Sequence, residues 1–436
     1  MRLMRKLYML SKVLKIKKAK KEEILRIQQK RLNFMINYCY KNVPFYHYLW
    51  KKSGIRPSMI KKIDDLRKLP IINKEVLKGN YPNFFSIEFK NVLHKLWYKS
   101  SSGSTGRPLL IYYDDFAKDY LDAVYLRALM NVGYKPNKPL FYYWYKPFRP
   151  EFYNMFGFMR KIYISSKMSD YQIIEEIKKH KPEYIYFYGG ILFSISKKIL
   201  EKEITLDWKP KSIITHAELF TDKMKEVVKD AFKTNRVFDQ YGTSEFNRVA
   251  WQCTENEGYH VDIDSVIPEI LDENGEEVSP KEKGNLILTG LINRALPLIR
   301  YDIGDVVIKN EEDKCSCGVT LPNIIKSILG RKKDFIGKIS PAQILNVIYD
   351  IRGLSVFQII RDNGKLLILV DSDNKFDERL LKKRIGKILN LSDSQISIRY
   401  GKVEKTAGGK RPFISSNINP SISHQYREAN IFVYNF

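Results

Sequence analysis

YIYFYGGILFSISKKIL, residues 184–200, sets the reading of the whole chain. Tyr184–Tyr188 is a short aromatic and aliphatic run, strand-like in composition. Gly189-Gly190 then turns the chain, and a helix follows near Ile191–Leu200. Just upstream, Ser169-Asp170-Tyr171-Gln172 is a capping box that opens a helix with Ile173, Ile174 and Ile177 on one face. Downstream, Lys211–Thr215 reads as a strand, Thr221–Phe232 as a helix, and Arg236–Phe238 as a short strand running into Tyr241-Gly242. Strands alternating with helices predict an α/β sandwich of mostly parallel sheets.

From Val261 to Asp305 the pattern changes to short strands and turns, including Asp272-Glu273-Asn274-Gly275, and predicts a β-rich subdomain over residues 255–329. A boundary falls near Gly330. Beyond it, Ser340-Pro341-Ala342-Gln343 caps a helix with proline at its first position. Ser355–Arg361 and Lys365–Val370 flank Asn363-Gly364, a hairpin signal. A helix (Phe376–Leu389) and an alternating strand (Gln395–Tyr400) follow. The expected division is a basic helical segment over 1–34, a large domain over 35–329 and a small, mobile α+β domain over 330–436.

At 436 residues, with 44% hydrophobic and 28% charged content, the chain is ordinary for a globular protein of two or three domains. No segment reaches the run of about 18 apolar residues that a membrane span needs. Without a signal-peptide core at the N-terminus, a cytoplasmic protein is expected. The net charge of +26 would suit nucleic acid, an anionic membrane or polyanionic substrates. Its basic residues are spread along the chain, as a compositional bias of the source would also produce. The local exception is Met1–Arg31, with twelve Lys or Arg against Glu22 and Glu23. Leu3, Leu7, Leu10 and Leu14 recur there at helical spacing. That fits either an interfacial helix touching the inner face of a membrane or a helix packed on its own domain. No nucleic-acid motif or aromatic-basic groove is present.

Ser101-Ser102-Gly103-Ser104-Thr105-Gly106-Arg107-Pro108 is the chemically richest stretch. Small residues with many donors can wrap an anion, although such a run alone reads equally as a solvated loop. The spacing of the common nucleotide loop is absent. The stretch gains weight from four motifs downstream of it, in chain order: Tyr241-Gly242-Thr243-Ser244-Glu245, Tyr301-Asp302-Ile303-Gly304-Asp305, Gly330-Arg331, and Lys405-Thr406-Ala407-Gly408-Gly409-Lys410. This ordered set resembles the adenylate-forming superfamily. Val43-Pro44-Phe45-Tyr46, Leu69-Pro70 with Asn73-Lys74, Leu296-Pro297-Leu298-Ile299-Arg300-Tyr301 and Phe357-Gln358-Ile359-Ile360 make it most similar to the phenylacetate–CoA ligase branch and its CapK-like members.

The resemblance implies that a small carboxylic acid is activated with ATP as an acyl-adenylate and passed to an acceptor. It implies that Ser101, Ser102, Gly103, Ser104, Thr105 and Gly106 hold the β- and γ-phosphates. Tyr241 would lie against adenine, with Ala217 and Glu218 beside it and Gly242 and Thr243 also among the nucleotide-binding residues. Ser244 would donate to phosphate, Glu245 would ligate Mg²⁺, Asp305 would accept the ribose hydroxyls, and Arg331 would face ribose and phosphate. Lys410 would approach the forming bond, and Lys333 would mark the hinge on which the small domain swings. The segment Lys332–Lys338 is shorter than the loop lining the pantetheine tunnel in CoA-using relatives. This leaves CoA in doubt as acceptor and points to a sugar or sugar nucleotide in surface-polysaccharide synthesis. Tyr188-Gly189-Gly190, where the family has Tyr-Pro-Ser, is expected to open room near the acyl pocket. Phe141–Tyr145 either lines that pocket or packs the core. The rival readings are an ordinary acyl-CoA ligase, an adenylyltransferase to a hydroxyl, and a non-catalytic basic protein that binds membrane or nucleic acid.

Cys253, His260, Cys315 and Cys317 supply three thiolates and one imidazole, a complete tetrahedral zinc set. The alternative is reduced, unlinked cysteines. Four cysteines in so long a chain do not suggest a disulfide framework.

Overall fold

The computed structural model describes residues 2–100, 109–148, 150–255, 258–362, 364–372 and 375–415. Helices α1 (Arg2–Lys18), α2 (Lys21–Asn42), α3 (Pro44–Lys52) and α4 (Lys74–Gly79) lead into an antiparallel pair, β1 (Trp97–Ser100) and β2 (Leu110–Tyr113). The segment read as alternating strands and helices then unfolds in order. It comprises α5 (Asp115–Asn131), β3 (Leu140–Trp144), α6 (Phe152–Met155), β4 (Lys161–Ser165), α7 (Asp170–His180) and β5 (Tyr184–Tyr188). Next come α8 (Gly189–Glu201), β6 (Ser212–His216), α9 (Asp222–Phe232), β7 (Val237–Thr243) and β8 (Asn247–Trp251). Strands β9 (Tyr259–Val261), β10 (Val266–Leu271), β11 (Lys283–Gly290), β12 (Tyr301–Lys309) and β13 (Asn323–Arg331) follow. The C-terminal part holds α10 (Pro341–Ile348), β14 (Phe357–Asp362), β15 (Lys365–Val370), α11 (Glu378–Leu389), β16 (Ile396–Tyr400) and β17 (Ile414–Ser415).

One sheet of eleven strands dominates, in the order β10-β11-β12-β13-β9-β8-β7-β6-β5-β3-β4. From β4 to β7 the pairs are parallel, and from β7 outward they are antiparallel. The β-rich stretch therefore continues the parallel sheet through β8 and β9. Strand β5 is buried along its whole length, as a central parallel strand should be. Its even face (Tyr184, Tyr186) packs with Leu126 and Leu129 of α5, while Ile185 and Phe187 pack with α7, α8 and α9. The C-terminal strands form a separate four-stranded sheet, β16-β15-β14-β17. Its Ile359 and Ile368 share a buried cluster with Ile191 and Phe220 of the large part.

Helix α1 packs on α5. Met9, Val13 and Ile16 form the buried stripe, whereas Leu7 is exposed and Leu10 and Leu14 are half-buried. Helix α5 thus takes the Met9, Val13 and Ile16 side rather than the leucine stripe and leaves Leu7 outward, while the Leu3 side chain lies outside the described residues. Arg5 pairs with Asp119 of α5 and fixes the docking.

Beneath this contact Arg127 of α5 is wholly buried. Its guanidinium donates to Asp262 (2.7 Å), to Asp264 (2.7 and 3.1 Å) and to the Val13 carbonyl (3.2 Å). Trp251 Nε1 adds a bond of 3.0 Å to Asp262. Two carboxylates and one cation so joined lock α1, α5 and the sheet together. Arg127→Met should destabilise the protein by about 3–5 kcal/mol, because both aspartates stay buried without their cation. Denaturant midpoints at unchanged slope measure this.

Candidate active site

The chain segments singled out by motif meet over the carboxyl ends of the parallel strands, where open α/β sheets place their ligands. Tyr241, near the end of β7, is buried and donates its hydroxyl to Asp305 Oδ2 on β12. Arg331, the last residue of β13, binds Asp305 Oδ1 at 2.9 Å and the Ile303 carbonyl at 2.8 Å. Asp305 pairs with Arg331 in the strand register, which is why these side chains meet. Each carboxylate oxygen of Asp305 thus already has one donor and one lone pair left for another.

Gly242 begins the turn between β7 and β8. A Cβ there would sit 2.3 Å from the Asn247 carbonyl oxygen, so no other residue fits. The turn carries Thr243, whose Oγ1 accepts the Phe246 N–H (3.1 Å), and Ser244, whose Oγ donates to the Ser100 carbonyl (3.1 Å). Glu245 follows, and its carboxylate has no hydrogen bond or ion pair among the described residues. The loop at Ser101–Gly106 lies outside the described residues, although Ser100 brings the chain to Ser244. Lys333 stands in a short 3-10 helix (Lys332–Asp334), and its carbonyl accepts a bond of 2.7 Å from Arg361. A tight turn bridging Ile336 and Ile339 then leads to α10. Gly330, with φ +112°, lies under Pro341, and a Cβ there would come within 2.8 Å of that ring.

Lys410 reaches the same place on a clamped loop. Tyr188 and Tyr143 donate their hydroxyls to the carbonyls of Gly408 (3.1 Å) and Gly409 (3.2 Å). Lys405 donates to the carbonyls of Ser166 (2.7 Å) and Met168 (3.0 Å). Gly409, at φ +78°, passes so close to Ser166 that a Cβ would sit 2.6 Å from it. The strongest tie was not foreseen in the sequence. Glu218 accepts the Gly190 N–H on Oε2 and the Arg411 N–H on Oε1, both at 2.7 Å. Arg411 in turn binds Asp170 (2.8 and 3.3 Å) and Ser194 Oγ (2.7 Å). Burial favours the neutral acid at Asp170, yet the Arg411 guanidinium holds its carboxyl below the ordinary value. Burial pushes the Lys410 ammonium down, opposed by the charges of Glu218, Asp305 and Glu245 that converge on it.

One expectation needs correction. Gly189-Gly190 does not open room: both residues start α8, and a Cβ on them would meet Phe220 (3.1 Å) and Glu218 (2.8 Å). Glu218 faces the Lys410 loop with both oxygens, while Ala217, at φ +67°, makes the turn that aims it there. The sequence held a partial signal for this, since Arg411 stands next to Lys410.

A second constellation is the cysteine–histidine set. The ligand atoms of Cys253, His260, Cys315 and Cys317 all lie within 4.8 Å of one another. Cys253 and Cys315 sulfurs are 3.5 Å apart, and Cys317 Sγ is 3.3 Å from His260 Nε2. Thiolates around a tetrahedral zinc stand about 3.8 Å apart, given Zn–S near 2.3 Å. His260 Nδ1 is 2.6 Å from the Leu321 carbonyl, which keeps its proton there and turns Nε2 to the sulfurs. The donor set and its spacing fit a metal. Cys39 is buried elsewhere.

No protein-family model matches the chain. It is 27% identical over 331 residues to a phenylacetate-coenzyme A ligase of Thermus thermophilus, covering 72% of each chain. It is also 27% identical over 440 residues to protein CapK of Staphylococcus aureus, covering 91% of this chain and 90% of that protein. Among solved structures, a 2-hydroxyisobutyryl-CoA ligase in the postadenylation state superposes with a TM-score of 0.72 at 16% identity, over 92% of this chain and 91% of that one. The fold is that of the adenylate-forming enzymes. In sequence the chain is similar to the phenylacetate–CoA ligases and to CapK.

If the cysteine–histidine set holds zinc, purified protein should carry about one equivalent by elemental analysis. Cys315→Ser should lose the metal and melt several degrees lower. A metal-free parent of unchanged melting temperature would contradict this.

Proposed function

We propose that the protein is an ATP-dependent adenylate-forming ligase. A carboxylate oxygen of the acid attacks the α-phosphorus of ATP, the bond to the β-phosphate oxygen breaks, and pyrophosphate leaves. An acceptor nucleophile then attacks the acyl carbonyl, gives up its proton, and AMP leaves. The observation that carries this reading is the clamped loop, which brings Lys410 to the site shared by Tyr241, Asp305, Arg331 and Glu245.

Each role has a physical basis. Lys410, desolvated and without a carboxylate contact among the described residues, supplies positive charge where negative charge grows in the transition state. Asp305, oriented by Tyr241 and Arg331, keeps lone pairs for the ribose hydroxyls. Glu245, Ser244 and the Ser101–Gly106 loop are the candidate Mg²⁺ and phosphate groups. Mg²⁺, when bound, neutralises charge on the phosphates. The zinc set has four protein ligands and no open position, so its role is structural. Lys333 lies where a swing of the small domain would pivot.

We assign the acceptor to an amine or hydroxyl of a sugar or sugar nucleotide. What supports this reading is that the segment after Arg331 closes in a tight turn bridging Ile336 and Ile339, and that the likeness to CapK spans nearly the whole chain. Efficient acyl-CoA formation with the best acid, and no product on any amino or hydroxy sugar, would assign CoA instead.

No helix among the described residues is long and apolar enough to cross a membrane. We place the protein in the cytoplasm with a peripheral membrane contact. Met4, Leu7 and Tyr8 of α1 are exposed, as are Phe152, Met155 and Phe156 around α6. Lys6 joins the two elements by an ion pair with Glu151 (3.2 Å). We read these exposed apolar side chains, with Lys12 over the Tyr8 ring and Lys6 over that of Tyr153, as a patch suited to an anionic lipid surface.

Lys410→Ala should abolish acid-dependent pyrophosphate exchange into ATP while ATP binding persists, because the lysine acts on the transition state. Glu245→Ala should weaken both. Exchange at the parent rate in the lysine variant would refute its role. The patch predicts co-sedimentation with anionic liposomes that weakens as salt rises, and Leu7→Glu with Phe156→Glu should abolish it. Equal binding by parent and double variant would exclude the patch.

A further inference from the structure

The α5 side of the sheet, next to the Lys410 loop, holds a group of buried and half-buried cations and rings that no carboxylate among the described residues neutralises. Tyr142, Tyr186 and His216 project from β3, β5 and β6 on that face, and Tyr188 closes it toward Gly408. His216 stacks on Tyr186 with centroids 4.0 Å apart. Arg248, from β8, donates to the Tyr186 hydroxyl at 2.8 Å. Lys161, at the start of β4, lies 4.4 Å from the centre of the Tyr142 ring.

Their polar atoms are left over. Arg248, His216 and Gln240 are 5%, 7% and 1% exposed. Yet Arg248 Nε, His216 Nε2 and both amide atoms of Gln240 have no hydrogen-bond partner among the described residues. No carboxylate forms an ion pair with Arg248, Lys161 or the nearby Lys99 among the described residues. Asp122 is the acidic group whose field reaches both lysines, and it pairs with Lys118. Burial pushes the Lys99 ammonium down to about 7 and that of Lys161 to about 8. Burial also holds His216 well below its ordinary value, with Arg248, Lys410, Lys161 and Lys99 adding to the effect. Unsatisfied buried donors and unpaired cations are costly in a folded protein, and a bound anion removes that cost. One reacting carboxylate, held at Lys410, would not answer three further cations.

We infer that the acid activated here carries a second anionic group, which Arg248, Lys161 and the amide of Gln240 receive beside the stacked rings of Tyr142 and Tyr186. This rests on the ligase reading and narrows it to diacids and acids bearing a comparable anion. Arg248 and Lys161 are then specificity determinants, while the adenylation groups remain those above.

The test uses pairs that differ only in charge: succinate against succinamate, and terephthalate against 4-carbamoylbenzoate. Acid-dependent ATP–pyrophosphate exchange should favour the diacid of at least one pair by about tenfold or more in kcat/KM, the scale of one charge-assisted bond. Arg248→Met should erase most of that preference through KM and leave the amide partner nearly unchanged. Lys161→Met, at a less buried position, gives the same reading should the arginine variant fail to fold. Equal use of acid and amide by the parent, a clear preference for uncharged monoacids such as phenylacetate, or a variant that lowers both partners alike would overturn the inference while leaving the ligase reading intact. No exchange with any acid of a broad carboxylate panel would remove the ligase reading and this inference with it.

Discussion

The carboxylate of Glu218 is the contact on which the site depends. Its two oxygens take one N–H from the large part, at Gly190, and one from the C-terminal loop, at Arg411. Local geometry makes this bridge feasible. Ala217 turns at φ +67°, Gly190 offers no Cβ to block the approach, and α8 begins there with its free N–H groups. Arg411 then reaches Asp170, the first residue of α7. Two helix N-termini and one strand end thereby hold the residue next to Lys410. Bonds to charged groups are worth about 1.5–3 kcal/mol each. A few of them can hold a loop without fixing it permanently, which suits an enzyme that must later move it.

Two buried charge networks show how the same residue types serve different ends. Around Arg127 nearly every donor has a carboxylate or carbonyl, and the group ties α1, α5 and the sheet together. Around Arg248, among the described residues, the Tyr186 hydroxyl and the Tyr125 ring answer the guanidinium without a carboxylate, and His216 and Gln240 are left with unpaired atoms. The first network balances its cation with carboxylates from the chain itself, although Arg127 Nε and Asp262 Oδ2 have no partner among the described residues, and it contributes to fold specificity. The second becomes complete only with a ligand, and it lies beside the loop that presents Lys410. The overall charge of +26 is thus concentrated in part where an anionic substrate would be read.

Much of the fold could be read from local pattern. The Tyr184–Tyr188 strand, the Ser169 and Ser340 caps and the strands flanking Gly364 all appear where composition and spacing put them. Pairing partners were less visible. Strand β9 is three residues long and joins two sheet regions through β8 and β13, and nothing local announces that. The choice between the two stripes of α1 was made by α5. At the site, Tyr241, Asp305 and Arg331 were legible as an ordered set, and the structure joins them by hydrogen bonds. The cysteines and His260 were legible by ligand type, and chain closure brings them together. Glu218 was noticed as a neighbour of the adenine site, its tie to the Lys410 loop went unseen, and Arg248 and Lys161 were missed. Their meaning lies in which neighbours fail to reach them, and only tertiary structure reports that.

The central claim is that docking of the loop by Glu218 makes Lys410 effective. Glutamine at position 218 keeps size and shape but offers one acceptor oxygen to two N–H groups, so one of them must face an amide NH₂. Acid-dependent pyrophosphate exchange by Glu218→Gln, with ATP affinity measured alongside, tests this most directly. The account predicts exchange reduced by about tenfold or more at near-parent ATP affinity, from one lost charge-assisted bond. Exchange at the parent rate would contradict it.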